Sequence, residues 1–327
     1  MTSAYAAARD GLRLSESAGH VRFFLLGVAK AGSTALYEIL GQHSQVFVCP
    51  IKDPGFFAAA DLLAIEAPNI HSAILRNAAA VERWIDNDVT NLPDHGFAFE
   101  WNSYQGLFRG LRDELAVGEG STIYWNAPEA PGAIRERFPD ARFIVVLRNP
   151  AERFFSQYLA TRWGHPRRSC RECFTLALER HDEPGPIFDV GLYATNLRRF
   201  FRHFPRSQFS IHLYEDFCSE PATVCREIFA FLGVDPEFPV DVSVRVNEPL
   251  LPRSPTLQAL RLSLAGSRSL SGFVPAPLRD ILRRSLRKPR SRETMDPADR
   301  RAIIDHYRDE ILQTSELIGR DLSAWLE

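Results

Sequence analysis

The stretch from Val21 to Leu40 constrains the fold more than any other. A largely apolar run, Val21–Leu26, is followed by Gly-Val-Ala-Lys-Ala-Gly-Ser-Thr at positions 27–34 and then by Ala35-Leu36-Tyr37-Glu38-Ile39-Leu40. The run reads as a buried strand, and Leu36, Ile39, Leu40 and His43 recur at helical spacing. Gly27 and Gly32 permit a tight turn between the two elements and close approach of the backbone to a bound group. The first N–H groups of the helix have no internal partners and sit at the positive end of its dipole, so the turn attracts an anion. Lys30, Ala31, Gly32, Ser33, Thr34 and Ala35 are the candidate anion-binding residues of this loop. A glycine-rich turn that binds nothing is the bland alternative.

The loop is close to the phosphate-binding pattern G-x-x-x-x-G-K-[ST], but Ser33 fills the lysine slot and Lys30 lies inside the loop. That displacement speaks against a kinase. A second anion site follows the strand Arg142–Leu147, which ends in Arg148-Asn149-Pro150. Asn149 is a good N-cap and Pro150 suits the first helical position, so a helix starts there with Arg148 at its mouth. An arginine fork in that place fits a phosphate dianion, and Ser156 adds a hydroxyl further along the same helix. A nucleotide-triphosphate enzyme would want an aspartate near such a strand end to hold Mg²⁺. This strand ends in arginine.

Further apolar runs at Val46–Cys49, Leu115–Gly118 and Phe209–Leu213 predict strands. Helices are expected near Ser33–Gly41, Val81–Asn87, Pro128–Phe138, Pro150–Arg162, Leu192–Phe204, Pro221–Leu232 and Pro297–Ile318. Strand–helix alternation of this kind implies an α/β fold, a three-layer parallel sheet flanked by helices. Binding sites in such folds collect beyond the carboxyl ends of the strands. The expected organisation is a flexible segment 1–20 and one domain over 21–327.

A net charge of −2 across 327 residues argues against a nucleic-acid partner, and no apolar run approaches the roughly 20 residues that span a bilayer. Met1–His20 has no apolar signal core, so a cytoplasmic location is the simplest expectation. Cys170 and Cys173 form an isolated C-x-x-C, read as two reduced thiols because a metal site of this type needs a second pair. Ten of the residues from Arg253 to Arg292 are basic against the single acid Asp280. Leu278, Ile281, Leu282 and Leu286 fit an amphipathic helix there, and residues 253–296 read as a basic lid-like insertion, an acidic-acceptor contact, a peripheral membrane patch or a solvated face.

At this point the chain resembles the sulfotransferases that use 3′-phosphoadenosine-5′-phosphosulfate (PAPS). Phe24–Leu40 is similar to the family's 5′-phosphosulfate loop and Arg148–Tyr158 to its 3′-phosphate motif. Lys52-Asp53-Pro54-Gly55-Phe56-Phe57 resembles the K-E-x-x-F-F segment of the heparan-sulfate branch, and Gly118-Glu119-Gly120-Ser121-Thr122-Ile123-Tyr124 resembles its G-E-[KA]-[ST]-x-x-Y segment. Gly191–Ala194, His203–Pro205 and Leu213–Phe217 follow the bacterial pattern. The resemblance implies PAPS as donor, adenosine 3′,5′-bisphosphate as product, and no metal. It implies a glycan, lipid or small-molecule hydroxyl or amine as acceptor. Lys30 would meet the bridging oxygen that gains charge as the bond breaks, and Lys52 the sulfate or only solvent at the pocket rim. The general base maps onto Asp53, one methylene shorter than the family's glutamate, with His95 as the fallback; holding Lys52 or capping the loop before Pro54 is the structural alternative for Asp53. Tyr193 and Arg253 would lie at the adenine or the 3′-phosphate, and Trp101, Tyr104 and Phe108 at the acceptor cleft or in an ordinary core.

Overall fold

The computed structural model describes residues 21–65, 68–86, 96–161, 168–179, 189–243, 251–252, 287–288 and 293–327. Five strands form one parallel sheet: β1 (Phe23–Gly27), β2 (Val46–Val48), β3 (Ala116–Gly120), β4 (Arg142–Leu147) and β5 (Phe209–Leu213). Their spatial order is β2-β3-β1-β4-β5. From β1 the chain goes to the edge strand β2, returns to lay β3 between the two, and then crosses to the other side of β1, so the carboxyl ends of β3, β1 and β4 surround a topological switch point. Every residue of β1 and β3 is buried, as expected for interior strands of a sheet covered on both faces.

The β1–β4 register slips between Leu25 and Gly27, where the strand bends out toward the loop. The core on this side of the sheet is aromatic. The ring of Phe24 lies 5.8 Å from Phe57, 6.3 Å from Tyr124, 5.9 Å from Phe138 and 5.8 Å from Phe143. Phe57 and Tyr124 belong to the two segments that follow β2 and β3, so the core itself fixes those loops at the site end of the sheet. The helix Pro297–Ile318 packs on the helices Pro150–Thr161 and Tyr193–Phe201.

Most of the expected elements form near their predicted bounds, and three differences from the sequence reading stand out. The strand expected over Leu115–Gly118 continues to Gly120 and carries Glu119 into the sheet. The helix expected over Val81–Asn87 begins at Pro68 and runs to Ile85, its early turns having too many polar residues to show a clear apolar period. The C-x-x-C lies on an unforeseen helix, Cys170–Glu179; Cys170 is buried and both thiols are pushed up by burial. No helix among the described residues is long and apolar enough to cross a membrane.

The chain divides into two compact units, residues 1–244 with 297–327 and residues 245–296. Within the second unit two short strands, β6 (Leu251–Pro252) and β7 (Arg287–Lys288), pair antiparallel. The amphipathic helix expected around Leu278–Leu286, together with Arg253 and His95, lies outside the described residues.

Candidate active site

The glycine loop forms as the sequence suggests. Gly27 and Gly32 adopt φ of 92° and 83°, and Gly32 immediately precedes the helix Ser33–Leu40. No side chain caps that helix start, so its first N–H groups remain available to an anion. Ser33 is buried and Thr34 half-buried on its first turn. Glycine is required at both turns for a second reason. A Cβ at Gly27 would stand 2.5 Å from Cγ2 of Thr122, and one at Gly32 would stand 3.2 Å from the ring of Tyr214.

Two non-glycine residues among those described have positive φ: Lys30 at 72° and Asp53 at 60°. Strained backbone of this kind collects at functional sites, where the surrounding structure holds it. Both are residues that the sequence singles out for chemistry.

Arg148 reaches back to the loop. Its Nη1 donates to the carbonyl of Lys30 at 3.0 Å, and its guanidinium stands 4.5 Å from the ring centre of Tyr214. Motifs 118 residues apart in the chain thus share one corner of the sheet. Behind Arg148, Asn149 caps the next helix as expected, its Oδ1 accepting from the N–H groups of Ala151 at 2.9 Å and Glu152 at 3.3 Å. Asn149 in turn donates from Nδ2 to the carbonyl of Trp325 at 3.2 Å. Ser156 is half-buried on that helix, two turns after the cap. Tyr193 is 1% exposed, and its hydroxyl donates to the carbonyl of Arg148 at 2.7 Å. It therefore holds the backbone of Arg148.

The other corner is built on β3. Asp53 donates its N–H to the carbonyl of Gly120 at 2.7 Å. Its Oδ1 accepts from the N–H and hydroxyl of Thr122 at 2.6 and 3.0 Å, and its Oδ2 pairs with Nζ of Lys52 at 2.7 Å. The Asp53 side chain keeps 37% of its exposure and that of Lys52 keeps 19%. Each carboxylate oxygen has two lone pairs, so Oδ2 retains an acceptor position.

Sequence reasoning missed the residue beneath this corner. Glu119 is fully buried, and its carboxylate accepts hydrogen bonds from three hydroxyls: Tyr104 at 2.8 Å, Tyr124 at 3.0 Å and Ser121 at 2.7 Å. Burial pushes its carboxyl up to about 7, against the pull of those hydroxyls and with a further push from the charge of Asp53. The available signal was a lone acid between two glycines next to a serine, which reads as a turn unless its distant tyrosines are known. Tyr104 and Phe108 are wholly buried and belong to the core, with Tyr104 engaged on Glu119. Trp101 is half-buried, stacked on Tyr104 at 5.6 Å with the guanidinium of Arg137 4.1 Å from its ring centre.

The arrangement sets a cationic, main-chain-lined corner at the ends of β1 and β4 and a carboxylate corner at the end of β3. Comparisons with known proteins show the family. A family model described as "Sulfotransferase family" matches residues 22–238. The chain is 28% identical over 232 residues to heparan sulfate glucosamine 3-O-sulfotransferase 6 of Mus musculus, covering 68% of this chain and 56% of that protein. It is 23% identical over 320 residues to the bifunctional heparan sulfate N-deacetylase/N-sulfotransferase 4 of Mus musculus, covering 93% and 31%. The chain thus spans about half or less of these curated relatives. A sulfotransferase from Alicyclobacillus acidocaldarius has a similar structure, with a TM-score of 0.66 and 25% identity over 94% of this chain and 99% of that one.

Proposed function

The chain belongs to the sulfotransferase family, and on that premise we propose that it moves the sulfuryl group of PAPS to a hydroxyl or amine acceptor. The observation that carries this reading is the hydrogen bond from Arg148 to the carbonyl of Lys30, which joins the two anion motifs into one corner. PAPS carries a phosphosulfate at one end of its ribose and a phosphate at the other. The glycine loop and first helical turn suit the former, and Arg148 with Ser156 the latter.

In the proposed step the acceptor oxygen or nitrogen attacks sulfur while the bond from sulfur to the bridging oxygen breaks. The electron pair stays on that oxygen, in the departing adenosine 3′,5′-bisphosphate, and the acceptor's proton passes to Asp53. Lys30 supplies positive charge where the leaving oxygen becomes anionic, which is commonly worth about 3–4 kcal/mol per preorganised donor. Lys52 steadies the Asp53 carboxylate and faces the transferred sulfate. A transferred sulfuryl group carries less charge than a phosphoryl group, so the residues named are sufficient without a metal to neutralise it. The curated relatives are named for heparan sulfate, which favours a carbohydrate acceptor over a lipid or other small molecule.

The test is direct. Adenosine 3′,5′-bisphosphate should raise the melting temperature without Mg²⁺, and labelled PAPS should yield a product heavier by one sulfuryl group in an acceptor screen read by mass. Stabilisation by ATP with Mg²⁺ but not by the bisphosphate would overturn the reading in favour of a kinase.

A further inference from the structure

We propose that Glu119 is a positioning residue for the transfer step. Its buried carboxylate fixes the Asp53–Gly55 turn through Ser121 and places a second negative charge behind Asp53. This rests on reading Asp53 as the proton acceptor.

The connection is continuous on the page. Ser121 donates from Oγ to Glu119 at 2.7 Å, and the same oxygen accepts the N–H of Gly55 at 3.4 Å. One residue later, Thr122 holds Oδ1 of Asp53 twice, and the carbonyl of Gly120 takes the N–H of Asp53. The end of β3 therefore grips the strained Asp53 turn from Glu119 to Thr122, with a carboxylate as its innermost anchor. The approach is too close for any side chain at position 120, where a Cβ would stand 2.7 Å from the ring of Tyr37.

The charge has a second consequence. Among the described residues, the hydrogen-bond partners of Glu119 are three neutral hydroxyls, with no cation. The titratable groups that face it are Tyr104, Tyr124, Tyr37 from the helix Ser33–Leu40, Cys49 after β2, and Asp53. Burial pushes the four tyrosine and cysteine groups upward, so they stay neutral near pH 7. None of these tyrosine and cysteine groups offsets the charge of Glu119. That charge lies on the far side of Asp53 from the ammonium of Lys52, which pairs with Oδ2 of Asp53 at 2.7 Å. A base so placed needs Glu119 ionised.

The experiment compares the full chain with Glu119→Gln and Ser121→Ala, measuring kcat and donor KM from pH 5.5 to 9 and amide exchange at Gly55. The wild type should show an acid limb in kcat near pH 7. Glu119→Gln should lower kcat by roughly 10–100-fold, the scale of a misplaced reacting group. Its donor KM should stay within about twofold, and the limb near pH 7 should disappear. Ser121→Ala keeps the charge, so the limb should remain while exchange at Gly55 quickens and kcat falls. An unchanged limb in Glu119→Gln, or a rise in donor KM matching the loss in kcat, would overturn the proposal. If the wild type transfers nothing from PAPS, the functional reading fails by itself. Exchange at Gly55 then still decides whether Glu119 fixes the turn: faster in Glu119→Gln if it does, unaltered if it does not.

Discussion

The two corners of the site hold their charges by opposite means. At the β1–β4 corner the contacts run through main-chain carbonyls: Arg148 donates to that of Lys30, and Tyr193 grips that of Arg148. At the β3 corner, Asp53 and Glu119 are held largely by side-chain hydroxyls and by the Lys52 ammonium. Of these groups Glu119, buried among hydroxyls, is pushed up to about 7, so that corner holds a carboxylate that responds to acidity in that range.

That contrast breaks first at Asp53. Asp53→Asn should cut kcat by ~10²–10⁴, the usual contribution of a general base, and leave donor binding nearly intact. Full activity in that variant would remove Asp53 from the role. Lys30→Ala should lower kcat by ~10²–10³ with a much smaller change in donor affinity, because its charge matters most at the leaving oxygen. Arg148→Ala should do the reverse. The dissociation constant for adenosine 3′,5′-bisphosphate, measured by calorimetry, should rise by ~10–100-fold, the loss of a charge-assisted hydrogen bond of about 1.5–3 kcal/mol. Equal effects on kcat and affinity from both cation variants would erase the distinction between the corners.

The smallest expected effects concern one indirect hydrogen bond and the stability of the fold. Tyr193→Phe should weaken bisphosphate binding by only ~2–10-fold, one hydrogen bond of about 0.5–1.5 kcal/mol that acts through the Arg148 carbonyl. Glu119 sets a pH trend of its own. Its folded value of about 7 lies above the ordinary 4.5, so the folded form holds its proton longer than the unfolded chain. Its stabilising contribution is complete below about pH 4.5 and is lost as pH rises through about 7. Melting temperatures from pH 4.5 to 8 should fall more steeply for wild type than for Glu119→Gln. Parallel curves would contradict the raised value.

Much of the donor corner is legible in the sequence because its parts are local. A glycine loop between a strand and a helix, and an arginine before Asn-Pro, announce themselves through turn and cap chemistry. The strands Arg142–Leu147 and Phe209–Leu213 and the helix Pro221–Leu232 fall where their apolar runs and terminal signals put them, the last closed by Gly233 at φ 79°. The β3 corner is opaque for the complementary reason. Nothing near Glu119 in sequence reveals that Tyr104, fifteen residues earlier, will meet its carboxylate, since only the sheet brings them together. Nor does the sequence show that Asp53 adopts a left-handed backbone, a conformation an aspartate enters when its neighbours compel it.

The bond from Asn149 to the carbonyl of Trp325 spans 176 residues. It ties the helix that starts beside Arg148 to a turn docked against Tyr193, whose ring lies 6.1 Å from that of Trp325. The central strands and the glycine loop can form from the earlier part of the chain, but this brace closes a long loop and comes late in assembly. A chain emerging from the ribosome would fold Lys30 into its loop well before this brace secures the helix beside Arg148.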